Sequence, residues 1–353
     1  MGGHVNSLYI AATEGGSGKT TLAVGLCLAL RGRGINAGYF KPVGVADASA
    51  STDDDVIFAA DVLGLQEPVQ DLCPLLLNDD VLRVTVDGPS GDTMERLAPA
   101  FARVSAAHDV VISEGLGEIW QGRFLRLSGA DVVSRLNQQA LLAARFSGIR
   151  QLDDVCYAKD VLKKRLLGAV FTMVPETRRE VVEQEYAPFL ARSQITMYGA
   201  LPADSRLMAL RVGAIAAGLN GRFLTGEEHA DALAETYLIG AMSAEHALAY
   251  FERTPDKVVV VGGDREDLIL TALKTPTVAL VLTGSYLPSA EVLEKARKAG
   301  VAAISVSGDT VAAADGLRRM FGRLRVHEHT KIDRIRELVD EHIDVDGLLA
   351  ALA

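Results

Sequence analysis

The sequence is short of cysteine and lacks the paired spacings that cysteine chemistry needs. Cys27, Cys73 and Cys156 are its three cysteines, far apart and without a CxxC. Neither a disulfide scaffold nor a thiolate metal site is indicated, and reduced thiols in a cytoplasmic protein are expected. An excess of positive charge is also missing. Lys and Arg number 36 against 46 Asp and Glu, a formal net charge of −10. That balance disfavours a broad nucleic-acid-binding surface. No apolar run reaches the roughly 18 residues that would span a bilayer. The opening Met1-Gly2-Gly3-His4-Val5-Asn6 has no basic segment followed by an apolar one, so a secretory signal is not expected. It also lacks the Ser or Thr at position 6 that myristoylation favours. No repeat and no low-complexity tract is evident.

What is present is enough apolar material for a sizeable core. The 353 residues are 49% hydrophobic and 23% charged, and a length of this order implies roughly two domains. Short apolar, β-rich runs at 8–12, 37–40, 110–113, 140–144, 168–172 and 196–201 alternate with helical patterns at 20–33, 94–107 and 176–190. This βα alternation predicts an α/β fold with a mostly parallel sheet covered by helices. A second series has strands at 258–261, 278–282 and 302–306, with helices at 265–273, 289–298 and 310–321. Before it, 207–219 reads as a short helix ending at the turn Asn220-Gly221. The expected domains are 1–205 and 206–353, the latter closing on an exposed, charged helix over 331–341.

The strongest local signal is Thr13-Glu14-Gly15-Gly16-Ser17-Gly18-Lys19-Thr20-Thr21, between the first strand and the first helix. Glycines let the backbone curl so that successive N–H groups converge on phosphate oxygens, and the helix that follows presents its positive end. Lys19 is placed to reach the β- and γ-phosphates of a nucleoside triphosphate such as ATP. The Thr20 hydroxyl is placed to bind Mg²⁺. Thr13 stands where the usual GxxxxGK[ST] pattern has its first glycine. Lys41-Pro42 ends the second strand, where an open α/β sheet places ligands. A lysine there can neutralise charge on a transferred phosphoryl group or its acceptor; it can equally be a solvated lysine. Asp53-Asp54-Asp55 can supply a carboxylate to Mg²⁺ or cap a helix. Glu114, after the strand at 110–113 and before Gly115-Leu116-Gly117, suits the metal or its water shell.

These residues, together with Tyr39-Phe40-Lys41-Pro42-Val43 and Ser113-Glu114-Gly115, resemble dethiobiotin synthetase and its cobyrinic acid a,c-diamide synthase relatives. More closely, the chain resembles the N-terminal region of long phosphotransacetylases, a synthetase-like P-loop region followed by a DRTGG domain. Met242-Ser243-Ala244-Glu245-His246-Ala247-Leu248, Val261-Gly262-Gly263-Asp264-Arg265-Glu266-Asp267 and Leu282-Thr283-Gly284 carry the second part. The 353 residues end where the phosphotransacetylase catalytic domain would follow. The resemblance implies a P-loop NTPase-type sheet and ATP phosphates on Lys19 and the loop backbone. It further implies Mg²⁺ on Thr20, Glu114 and, of the acidic triplet, Asp55, with Lys41 handling an acceptor carbamate or carboxylate. Synthetase relatives imply a homodimer across the P-loop domain. Two departures bear on the substrate. Val45 stands where the synthetase has a serine near its substrate, and Thr172 stands where an asparagine reads adenine.

In the second domain, Gly262-Gly263-Asp264-Arg265, Thr283-Gly284-Ser285 and Ser307-Gly308-Asp309-Thr310 end three strands. In a parallel sheet they share one edge, either as a pocket for a small metabolite or as tight turns with capping residues. His327 and His329 flank Glu328 at a spacing that can bind metal, but no third ligand accompanies them. Trp120 is a lid residue or a packed anchor. Three functions follow from these readings. The first is an ATP- and Mg²⁺-binding regulatory protein. The second is an ATP-dependent ligase-like enzyme that activates a carboxylate or carbamate. The last is a dimerising partition-type ATPase, against which Glu14 stands in the place of that group's signature lysine.

Overall fold

The computed structural model describes residues 6–45, 52–77, 93–321 and 331–353; His327, Glu328 and His329 lie outside them. The chain divides into two compact units, Met1–Ala203 with Val326–Ala353, and Asp204–Arg325. Along the first unit run β1 (Asn6–Ala11), α1 (Lys19–Gly32), β2 (Ala37–Phe40), β3 (Val43–Val45), α2 (Asp54–Leu63), β4 (Leu75–Leu77), α3 (Thr93–Ala107) and β5 (Val110–Glu114). They are followed by α4 (Gly129–Arg135), β6 (Gln139–Arg145), α5 (Arg150–Leu162), β7 (Leu166–Val174), α6 (Ala187–Arg192) and β8 (Thr196–Pro202).

Six of these strands form one sheet in the order β2-β5-β1-β6-β7-β8, every pairing parallel. Leu8, Ile10, Leu141, Leu142 and Ala143 are all buried, because helices on both faces leave a parallel strand no polar side. The chain first builds out from β1 to β2 and β5, then crosses to β6 on the other side. At such a reversal the crevice at the carboxyl ends of the strands is the natural ligand position. The helix expected over 176–190 is irregular, with a π-helical turn at Val182–Tyr186. Pro188 has no N–H to offer the carbonyl four residues back, so regular α-helical bonding is interrupted there.

The second unit contains β9 (Leu210–Arg211), α7 (Val212–Gly218), β10 (Arg222–Thr225), β11 (Leu233–Ala234), β12 (Thr236–Ile239), α8 (Ala244–Arg253) and β13 (Lys257–Gly262). It continues with α9 (Glu266–Ala272), β14 (Thr277–Thr283), α10 (Ala290–Lys298), β15 (Ala302–Ser305) and α11 (Thr310–Phe321). Its sheet has the order β10-β15-β14-β13-β12, parallel except where β10 joins β15. Val258, Val260, Val281 and Ile304 pack one face with Leu317 and Phe321. Val259, Val261, Leu280 and Leu282 pack the other with Phe251 and Leu268. The single helix expected over 207–219 is broken, because β9 pairs antiparallel with β11 and buries Leu210 and Ala234.

The C-terminal stretch corrects an expectation. α12 (Ile332–His342) and α13 (Val345–Leu352) belong to the first unit, not the second. α12 is charged, but Ile335, Leu338 and Val339 fall at i, i+3 and i+4 and are buried, an apolar stripe that needs a partner. That partner is α1. The contact is close at Gly25, where a Cβ would stand 2.5 Å from Val339 Cγ2 and 3.1 Å from Ile335 Cγ2. Arg33 closes the rim with Asp340 at 2.9 Å and Asp346 at 3.1 Å. Gly25→Leu should therefore overpack this contact and lower stability by about 1–3 kcal/mol, read from the midpoint of chemical unfolding. An unchanged midpoint would mean that α12 does not seat on α1.

Lys257 makes a second stability test. It is fully buried at the start of β13, donating to Thr275 Oγ1 at 3.0 Å and to Pro276 O at 2.9 Å, over the Phe251 ring. Burial pushes its pKa down from 10.5 to about 8, with Asp256 opposing. Below pH 8 both folded and unfolded states carry the proton, and the fold bears the full penalty of the buried charge. Between pH 8 and 10.5 the unfolded state binds more protons, so this group makes stability rise with pH. Lys257→Met should remove that rise, measured as the difference in thermal midpoint between pH 7.5 and 9.5 relative to the unaltered chain. An identical pH dependence in both proteins would refute the assignment.

Candidate functional site

The glycine loop lies between β1 and α1, as its sequence predicts. Gly16 (φ 66°) and Gly18 (φ 78°) take left-handed conformations, which an L side chain adopts only with strain. Gly18 caps α1 without a side-chain bond, so Lys19, Thr20 and Thr21 open the helix with N–H groups that have no intrahelical acceptor. Gly15 and Gly16 are exposed, while Ser17, Lys19 and Thr21 are buried. Ser17 Oγ and Thr21 Oγ1 have no hydrogen-bond partner among the described residues. Nor does any carboxylate of those residues form an ion pair with Lys19. Burial lowers the Lys19 pKa, with Glu114 opposing. A buried cation beside orphaned hydroxyls and free helix-terminal N–H groups is a cradle for an anion.

Three further elements reach the carboxyl edge of the sheet. Glu114, the last residue of β5, sits beside Ile10 of β1 and is 2% exposed. Its Oε1 accepts the Thr20 hydroxyl at 2.9 Å, and its Oε2 accepts the Tyr39 hydroxyl at 2.7 Å. Lys41, directly after β2, is buried and reaches three carboxylates: Asp53 at 3.0 Å, Asp55 at 2.5 Å and Glu114 Oε1 at 3.4 Å. Asp53 caps α2 by accepting from Asp55 N, and it also accepts from Val45 N. Asp54 is exposed. The triplet thus divides its work, one residue capping, one turned to solvent, and Asp55 beside Lys41. Burial raises the Glu114 pKa while Lys41 opposes. Burial alone would lower the Lys41 pKa, but Glu114, Asp55 and Asp53 together hold it well above the usual lysine range.

Four participants carry weak sequence signals. Tyr39 lies in an apolar strand, yet a buried phenol needs an acceptor. Thr172 donates to Ser17 O at 2.7 Å and so braces the loop from β7. A Cβ at Gly15 would lie 3.8 Å from Glu118 Oε1, which puts that carboxylate beside the loop. Arg145, at the end of β6, lies 3.4 Å from Gly16 O and opposes the burial-driven rise in the Glu14 pKa. Trp120 is half exposed and meets Tyr157 edge-on. The fit to Mg²⁺ is of a particular kind. Among the described residues no group of three His, Cys, Asp or Glu is arranged to hold a metal ion by itself. Mg²⁺ is usually bound by one or two carboxylates together with substrate phosphates, and Thr20, Asp55 and Glu114 suit that shared arrangement.

In the second unit the three strand-end loops do come together. Gly263 N donates to Thr283 O at 3.1 Å, Gly284 N to Gly308 O at 3.0 Å, and the Thr283 and Thr310 hydroxyls meet at 2.9 Å. The donors expected to face an anion are therefore already used between the loops. A Cβ at Gly263 would stand 1.8 Å from Tyr286 O, so this glycine makes room for the chain's own backbone. Arg265 pairs in a bidentate manner with Asp267, Asp264 is exposed, and Gly262 is half-buried.

The loop, the helix it opens and the order of the parallel strands place the first unit in the P-loop class of α/β domains. Residues 6–211 match the AAA domain family, to which the chain belongs, and residues 214–320 match the DRTGG domain. Similar proteins include phosphate acetyltransferases of Synechocystis sp., 25% identical over 82% of this chain and 43% of the relative, and of Pseudomonas aeruginosa, 24% identical over 98% and 52%. Cobyric acid synthase of Cereibacter sphaeroides is 36% identical over 31% of this chain and 27% of its own length. The resemblance to the N-terminal region of long phosphotransacetylases thus holds, and the chain spans about half the length of the acetyltransferases it matches.

The Glu114 interactions have a measurable consequence. Tyr39→Phe leaves Glu114 Oε2 buried without its donor and should cost about 1–3 kcal/mol of stability, measured by denaturant unfolding. A cost indistinguishable from zero would show that this oxygen has another partner.

Proposed function

We propose that the first unit binds a nucleoside triphosphate with Mg²⁺, and that the chain serves as a nucleotide-responsive regulatory module related to the N-terminal region of phosphate acetyltransferases. One observation carries this reading: Lys19 is buried at the helix opening, unpaired by any carboxylate of the described residues, with Ser17 Oγ and Thr21 Oγ1 also lacking partners. An anion with several oxygens satisfies all of them together. Lys19 and the loop N–H groups would bind the phosphates, and Thr20, Glu114 and Asp55 would share Mg²⁺ with them. When bound, Mg²⁺ neutralises charge on the β- and γ-phosphate oxygens. Thr172 spends its hydroxyl on Ser17 rather than on a base, which supports recognition centred on the polyphosphate. A regulatory role fits a cytoplasmic homodimer; a small metabolite at the second unit would have to displace the contacts that Arg265 makes with Asp267 and that the Thr283 and Thr310 hydroxyls make with each other.

The ligase-like reading is favoured by a different observation. A cleft of about 600 Å³ is lined in part by Thr52, Cys73, Arg96 and Arg103, and could receive an acceptor carboxylate. In that reading an acceptor oxygen attacks the γ-phosphorus, the bond to the leaving oxygen breaks, and Lys19 balances charge on the phosphoryl group. Lys41 would orient the acceptor. In this structure it is instead engaged by three carboxylates, and for that reason the regulatory reading is preferred.

Calorimetry of the full chain with ATP and Mg²⁺ tests both. Saturable binding is expected, with a thermal midpoint that rises with ligand concentration, as about 2.7 kcal/mol of stabilisation at a hundredfold excess over Kd requires. Lys19→Ala should abolish it. No binding to the unaltered chain would end both readings. Phosphate release that depends on a small carboxylate or amine and disappears in Lys41→Ala would decide for the ligase.

A further inference from the structure

Lys41 occupies a position that its place at a strand end does not explain. Its side chain is 6% exposed, and its Nζ lies 3.0 Å from Asp53 Oδ1, 2.5 Å from Asp55 Oδ2 and 3.4 Å from Glu114 Oε1. Glu114 Oε1 is the same oxygen that accepts the Thr20 hydroxyl. Two of the three oxygens on the ammonium therefore belong to Asp55 and Glu114, the carboxylates assigned to Mg²⁺. The ammonium offsets one of these three negative charges and occupies the oxygens that a divalent ion would need. Carboxylates turned onto one ammonium are not free to surround a metal, consistent with the absence of a self-sufficient metal-holding group among the described residues.

We propose that Lys41 acts as a tethered cation that excludes free divalent ions from the site, so that Mg²⁺ enters only with a polyphosphate. The argument is electrostatic. A divalent ion arriving alone must compete with Lys41 for oxygens already engaged at short range, and displacing Lys41 would strand a buried ammonium. A polyphosphate changes both sides of that competition. Its oxygens complete the coordination that two carboxylates and a hydroxyl cannot, and its charge offers the Lys41 ammonium an alternative anion. Lys41 is thus a specificity-determining residue, selecting the metal–polyphosphate complex over the bare ion. The assignment rests on the polyphosphate reading, but its decisive comparison uses metal alone.

The experiment is Mn²⁺ titration of the full chain without nucleotide, read from the electron paramagnetic resonance signal of the free hydrated ion. The unaltered chain should leave Mn²⁺ free up to about 1 mM, while Lys41→Met should bind it at least about tenfold more tightly, through carboxylates released from the ammonium. Lys41→Arg keeps the charge and should behave as the unaltered chain. Lys41→Met combined with Asp55→Asn should lose the gained affinity. Equal affinity of the unaltered chain and Lys41→Met for Mn²⁺ alone overturns the proposal. Where Lys41→Met does not fold, Lys41→Gln takes its place. Independently of any variant, the unaltered chain binding Mn²⁺ well below about 1 mM without inorganic triphosphate also overturns the proposal. If Lys41→Met gains a site but Mn²⁺ and triphosphate together do not co-elute with the unaltered chain in gel filtration, the polyphosphate reading falls and the exclusion by Lys41 stands.

Discussion

A carboxylate removed from water must be compensated, and the site is organised by how Glu114 is compensated. It ends β5 with 2% of its surface exposed, in a setting where an unmatched charge costs several kcal/mol. Thr20 reaches it from α1, Tyr39 from β2, and Lys41 from the segment after β2. One side chain thereby ties the opening of the phosphate-loop helix to two neighbouring strands. Bonds to an ionised acceptor are stronger than neutral ones, and these partners come from segments distant in sequence. The result is a position for the Thr20 hydroxyl that is set before any ligand arrives.

The two units use strand-end glycines in opposite ways. In the first, Gly16 and Gly18 turn the backbone so that helix-terminal N–H groups are left without a partner among the described residues. In the second, Gly263 and Gly284 spend their N–H groups on Thr283 and Gly308, and Gly263 admits the Tyr286 carbonyl where a side chain would collide. Both patterns look alike in a sequence, since each is glycine after an apolar strand. Only the fate of the donors separates an anion cradle from a packed turn, and that fate depends on which neighbouring loop offers a carbonyl.

The same distinction explains how much could be read from the amino acids. The central strands of both sheets were legible because parallel strands buried on two faces are continuously apolar. The loop was legible because its glycines, Lys19 and Thr20 are contiguous. In the sequence Thr172 shows only as a place where a base contact is missing; its work on Ser17 O spans 155 positions and leaves no local trace. Tyr39 was hidden in a strand where its ring serves the core and its hydroxyl serves Glu114. The seating of α12 on α1 was written in Ile335, Leu338 and Val339, but frequent charges masked a narrow apolar stripe, and the complementary gap at Gly25 lies more than three hundred residues away. The β9–β11 pairing that breaks the expected helix at Leu210 rests on two residues from each strand, too few for any periodicity to reveal.

The charges around the loop constrain what the site can receive. Lys19 and Lys41 face Asp53, Asp55 and Glu114, and Lys41 is committed to all three carboxylates. Among these five side chains Lys19 alone has no carboxylate partner, and two lysines against three carboxylates leave the group negative by one. A polyphosphate entering alone would add several negative charges to that surplus at short range and low dielectric. It must bring a cation of its own, and a divalent one cancels the most charge for the space it takes. On the proposed reading the carboxylates would form one half of a binding site whose other half travels with the ligand. Thr172 gives its proton to Ser17 O and keeps only acceptor capacity toward a base, so in the proposed reading the affinity would reside chiefly in the phosphate chain and its accompanying ion.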